Sequence, residues 1–175
     1  MTKIWPQRGI AEGEALGDYL FLNRGYLPTP AIILRREFAL NHLFNEKLSR
    51  HQDYDFLLRL EASGAKFLML EEPLVTVHWE DFHTSSRGLN PDKSLFFLQE
   101  YSKFLSDRAI SYFVIQQIVL RLLKNRQRLA AMSIALKFVN LLHLKIFDYL
   151  NLTSHFIFSD SRIVSLLAKL KPQMN

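Results

Sequence analysis

The chain has 175 residues, 49% hydrophobic and 22% charged, a size and composition that suit one globular domain with a sizeable core and exclude an intrinsically disordered chain. Cysteine is absent, which excludes a disulfide framework and thiolate metal sites and makes a reducing, cytoplasmic setting the expectation. A formal net charge of +5 admits nucleic acid, an anionic membrane surface or phosphorylated substrates as partners, but the excess is local: Arg121, Lys124, Arg126 and Arg128 bunch together, while the first hundred residues mix both signs.

In chain order, the opening MTKIWPQRGIAEGEALG has no apolar core of signal-peptide length, so export is not expected. GDYLFLNRGYLPTP is broken by Gly25, Pro28 and Pro30, and AIILRRE then gives a β-branched run that predicts a buried strand near residues 31–35. REFALNHLF has helical spacing and ends in the polar NEKLSRHQ. In DYDFLLRLEASG, Asp53 can cap a helix over 53–63, Leu57, Leu58 and Leu60 belong to its apolar stripe, and Gly64 suits a left-handed C-terminal cap. AKFLML and PLVTVHW, on either side of EEP, predict two further short extended segments.

After Trp79 the polar EDFHTSSRGLNPDKS predicts a loop and a boundary, giving an α/β region over 1–93 and a helical region over 94–175. SLFFLQEYSKFL, AISYFVIQQIVLRLL and RLAAMSIALKFVNLLHLKIFDYL all read as helical, and Arg121, Lys124, Lys137 and Lys145 interrupt any stretch long enough to span a bilayer. Two arrangements of this tail stay open. It could lie on an anionic membrane through Phe113, Ile115, Val119, Leu122 and Leu123 with the basic cluster at the lipid phosphates, or it could pack as a hairpin with a solvated basic bend. Nucleic acid is not the expected partner, because no recognition motif accompanies the patch and its charges sit among aliphatic side chains.

PTPAIILRREF followed by FNEKLSRHQDYDFLLRLEASGAKFLMLEEPLVTVHW resembles the second half of the family 2 glycosyltransferases, which build polysaccharides from nucleotide sugars on the GT-A fold. Phe44, Glu46, Gln52, Asp53, Asp55, Arg59, Gly64, Pro73 and Leu74 stand in register with that family's pattern, over about residues 28–80. The usual Glu-Asp pair reads Gln52-Asp53 here, which keeps the second carboxylate. The nucleotide-binding half of the pattern has no counterpart in residues 1–30; the Asp-x-Asp at Asp53-Tyr54-Asp55 belongs to the acceptor-side motif. The resemblance therefore implies a partial GT-A-like α/β fold that carries the acceptor side of a glycosyltransferase, inactive without its nucleotide-sugar-binding half. The alternative is a non-catalytic remnant or interaction module that keeps the acceptor-side fold.

By the same resemblance Asp53 is the general base that takes the proton of an acceptor hydroxyl as that oxygen attacks the anomeric carbon. A carboxylate at a helix N-terminus is held by backbone N–H groups and the helix dipole, which predicts an ionised, weak base, and the same position would suit a cap with no other role. Thr29, Gln52, Asp55 and Arg59 are the candidate substrate contacts, although Asp55 and Arg59, four residues apart, could equally form a helical ion pair. His51, beside Gln52, is not included. His78 and His83 are the candidate metal or diphosphate ligands, with Mn²⁺ or Mg²⁺ expected for the complete enzyme. Expected partners are a nucleotide sugar and a glycan or lipid-linked acceptor, at the cytoplasmic face of the cell membrane if the tail meets lipid.

Overall fold

The computed structural model describes residues 4–77 and 91–157. Among them the helices are α1 (Leu16–Phe21), α2 (Arg36–Asn41), α3 (Gln52–Ala62), α4 (Asp92–Tyr101), α5 (Asp107–Val114), α6 (Leu120–Lys124), α7 (Arg128–Phe138) and α8 (Ile146–Ile157). Of the described residues, 4–77 and 92–109 form one compact unit and 110–157 belong to a second.

In the first unit, α1 is too short to persist by propensity and is held by burial of Leu16, Tyr19, Leu20 and Phe21. The backbone N–H of Leu16 donates to Glu61 Oε1 of α3 at 2.6 Å, which satisfies one of the otherwise unpaired donors at the start of α1. The strap before α1 is knotted at Glu14, whose carboxylate accepts from both guanidinium nitrogens of Arg8 at 2.7 Å, from Ala11 N–H and from Asn23. The Arg8 hydrogen bond foremost holds the Glu14 pKa down to about 2 from an ordinary 4.5. A lowered carboxylate pKa adds stability above the unfolded value and loses it as pH falls through the folded one. The stability difference between the wild type and Glu14→Gln is therefore expected to be full at neutral pH and to shrink as pH drops from 4.5 towards 2, as urea titrations at a series of pH values would measure.

The helix over 53–63 is present one residue earlier, as α3, with Leu57, Leu58 and Leu60 fully buried or nearly so. Gly64, at φ 88°, provides the left-handed C-terminal turn that its position predicts, with its N–H on Glu61 O and Ala65 N–H on Leu60 O. Asp53 is not the N-cap. That position belongs to His51, in the left-handed conformation at φ 64°, and Asp53 lies within the first turn.

The α/β expectation is overturned: every regular element among the described residues is helical, and none is a strand. Residues 29–31 form a single 3₁₀ turn, and the rest of the 31–35 run continues without ladder partners. Residues 65–70 and 73–77 are likewise irregular. Their composition is β-like, but β propensity expresses itself only against a neighbouring strand and a buried face. Here Ile33 is 85% exposed and Leu68 96% exposed. Apolar sequence alone mimics a buried strand, and without a ladder these runs stay irregular and mostly exposed.

In the second unit α5 passes through a π-helical stretch, Ile115–Val119, into α6, so the AISYFVIQQIVLRLL segment is helical throughout, as its pattern predicts. Phe113, Val114, Ile118, Val119 and Leu122 are essentially inaccessible. Phe113, Ile115, Val119, Leu122 and Leu123 thus form this unit's core and cannot be the side that meets lipid. The long helix expected after Arg128 is broken in two. Asn140 donates its N–H to Ser111 Oγ and caps a 3₁₀ turn, Leu141–His143, through its own side chain, while Asp148 accepts from Tyr112 OH and Lys145 N–H.

Candidate active site

Four aromatic rings of the first unit make the floor on which the start of α3 rests. Tyr54 meets Phe21 of α1 edge-on at 5.1 Å and Phe97 of α4 at 6.2 Å, and Phe97 stacks on Tyr101 at 4.9 Å. The His51 imidazole inserts beside them, stacked on Tyr54 at 5.4 Å, with Nε2 in a 2.9 Å hydrogen bond to Ser94 Oγ of α4. Both His51 and Ser94 are buried. A left-handed backbone at a non-glycine residue is unfavourable in itself, so these contacts are what hold the turn that delivers Gln52 and Asp53 into α3.

The two aspartates of the Asp-x-Asp have opposite surroundings. Asp55 is fully buried, its two oxygens bound by Arg59 Nε and Nη2 at 2.7 Å each, and Tyr101 also bonds to it. Arg59 is in turn tied to the carbonyl of Leu43 at 2.8 Å, and its pKa is raised, foremost by the Asp55 hydrogen bond. The pair therefore joins α3 to the 43–45 turn, where Asn45 Nδ2 donates to Tyr101 OH at 3.0 Å. Asp53 is partly exposed, beside the exposed Gln52, and its Oδ1 accepts the Tyr54 backbone N–H at 3.0 Å. Burial, outweighing that hydrogen bond, raises its pKa above the ordinary 3.8. This reverses the weak, dipole-lowered base expected from the helix position: desolvation is the larger effect, and it makes Asp53 a better proton acceptor.

Tyr26 is the residue that the sequence reading missed. Its phenol pKa is raised, first by burial and then by the negative charge of Asp53, which places it in that carboxylate's field. No spacing rule connects residue 26 with residue 53. Gly25 lies so close to the ring of Tyr19 that a Cβ there would stand 2.3 Å from Cε1. Gly25→Ala must displace a buried ring, and is expected to lower unfolding free energy by about 1–3 kcal/mol in urea titration.

Thr29 opens the 3₁₀ turn three residues after Tyr26 and is exposed. The structure thus brings Tyr26 and Gln52 to the neighbourhood of Asp53 and seals Asp55 from solvent beneath a partly exposed Arg59. His78 and His83 lie outside the described residues. Among the described residues no group of three or more histidine or acidic side chains converges as a metal shell.

Over 120 residues, 68% of this chain, the sequence is 33% identical to the amylovoran biosynthesis glycosyltransferase AmsB of Erwinia amylovora. The chain is related to a glycosyltransferase. It spans 40% of the length of AmsB. No family model and no solved structure matches the chain. The relationship to AmsB is one of sequence and leaves the helical architecture as described above.

Proposed function

We propose that this chain contributes the acceptor side of a sugar-transfer site of the family 2 type, in which Asp53 removes the proton of the acceptor hydroxyl. The observation that carries the reading is the contrast within one helical turn of a glycosyltransferase relative: Asp55 is saturated and buried, whereas Asp53 is partly exposed with a pKa raised by desolvation. Sugar transfer with inversion needs a base within hydrogen-bond reach of the attacking oxygen, and a carboxylate with a raised pKa accepts that proton more readily. Gln52, exposed beside it, offers an amide that both donates and accepts, suited to a neighbouring hydroxyl of a glycan or lipid-linked acceptor. Tyr26 adds a phenol near the same carboxylate. The donor is a nucleotide sugar, held by parts of the complete enzyme other than the described residues. The product belongs to a polysaccharide.

The test is transfer itself. The chain, alone and co-produced with the portion of AmsB that it does not match, is incubated with labelled uridine- and guanosine-diphosphate sugars and a lipid extract. Label is expected in lipid-linked or polymeric product from the paired sample and not from the chain alone. No label from the paired sample, where intact AmsB run in parallel gives product, overturns the reading in favour of a non-catalytic module.

A further inference from the structure

Helix α7 is apolar on both sides. Ala131 is fully buried, and Ile134, Ala135 and Phe138 follow it on the inward side against the π-helical stretch and α6. On the other side Leu129, Met132 and Leu136, at helical spacing, are 80%, 48% and 77% exposed. At 3.6 residues per turn, the exposed Arg128 and Lys137 fall roughly 90° to either side of this stripe. The turn after α7 adds Leu142, 90% exposed.

The charge around this stripe has one sign. Residues 110–157 contain Arg121, Lys124, Arg126, Arg128, Lys137 and Lys145 against a single acidic residue, Asp148, whose carboxylate is engaged by Tyr112 and by the Lys145 N–H. This stretch holds the whole of the chain's formal excess of +5. An apolar stripe with cations along its two edges is the arrangement of a helix lying in a membrane interface, where long basic side chains reach the phosphates while the stripe enters the acyl region. No helix among the described residues is long and apolar enough to cross a membrane.

We propose that α7 seats this chain on an anionic lipid bilayer, with Leu129, Met132 and Leu136 among the acyl chains and Arg128 and Lys137 at the phosphates. The lipid is chosen over a second copy of the chain because pairing this surface with itself would bring like charges together. The face differs from the one that the sequence suggests, since Phe113, Ile115, Val119, Leu122 and Leu123 are core. The proposal stands independently of the role of Asp53.

The whole chain is mixed with phosphatidylcholine vesicles and with phosphatidylcholine–phosphatidylglycerol vesicles, at low and high salt, and the bound fraction is read by sedimentation. Binding is expected only to the anionic vesicles, weakening with salt. Each basic residue near such a surface strengthens partitioning about fivefold, so Arg128→Gln/Lys137→Gln is expected to weaken it about 25-fold. Leu129→Ser/Met132→Ser/Leu136→Ser is expected to weaken it on the order of 100-fold. Circular dichroism checks that each variant remains folded, and if the triple variant does not, the charge variant decides alone. Absence of binding, equal binding to neutral vesicles, or anionic binding that the folded variants leave unchanged overturns the proposal. So does a dimer in sedimentation equilibrium that the triple variant dissociates while lipid binding is absent.

Discussion

Replacing Asp53 by asparagine is expected to lower sugar transfer by the paired enzyme by about 10²- to 10⁴-fold, the usual cost of a lost general base, without destabilising the chain. The two halves of this expectation have one cause. Burial raises the Asp53 pKa above its ordinary 3.8, so the folded state holds the proton more readily than the unfolded chain does. The resulting contribution to stability is fully present below the unfolded pKa and is lost as pH rises through the folded one, which leaves the ionised carboxylate unfavourable at neutral pH. Asparagine carries no charge, and its carbonyl can still accept the Tyr54 N–H that Asp53 Oδ1 now accepts at 3.0 Å. At pH 7 the variant is therefore expected to melt at the same temperature as the wild type or slightly higher, a pattern common at sites where function opposes stability. The acid limb of kcat/KM, set by protonation of Asp53, is expected to vanish in the variant. A clear fall in melting temperature with activity retained would return Asp53 to a structural role.

Arg59→Met is expected to have the opposite profile, a large loss of stability. It strips the partner from Asp55, a carboxylate with no solvent exposure, both of whose oxygens are held by Arg59 at 2.7 Å. Stranding the buried carboxylate costs about 3 kcal/mol, the low end for a buried pair because Arg59 keeps 27% of its side chain exposed. For a chain of this size that is a fall of roughly 10 °C in melting temperature. The tie from Arg59 to the Leu43 carbonyl at 2.8 Å is lost as well, so protection of the neighbouring amides from hydrogen exchange is expected to fall. Asp55→Asn/Arg59→Met is expected to recover a good part of the stability, since the stranded charge is gone. Additive losses in that double-mutant cycle would mean that the two side chains act separately, against the geometry.

The helices of this chain were legible wherever apolar residues recur at helical spacing and the ends carry their own signals. α3 is the clearest case, with Leu57, Leu58 and Leu60 on the buried side and Gly64 at the left-handed stop, and the continuous run through α5 and α6 is another. Local sequence is sufficient there because a helix satisfies its backbone from within. Strands do not, and the same kind of reading failed at residues 31–35, 65–70 and 73–77: β-branched and aromatic runs state a preference, and only a neighbouring strand, which none of the described residues provides, can turn it into a ladder. The break after α7 likewise depends on Ser111, twenty-nine residues before the Asn140 whose N–H it accepts.

At the site, the sequence by itself determined that an aspartate pair opens an apolar helix and that Arg59 lies one turn beyond Asp55. Only the tertiary structure decided which carboxylate is sealed and which is accessible. That choice comes from Tyr101 and Asn45 arriving at the Asp55 side and from the His51–Ser94 hydrogen bond that fixes a left-handed turn. The same holds for the basic tail: the sequence located the charge, but which apolar face is core and which is open depends on what each helix packs against, and that put Phe113 and Leu122 inside and Leu129 and Leu136 outside. Spacing fixes which residues share a helix face, whereas burial, and with it desolvation and pKa, is set by contacts between segments distant in the chain.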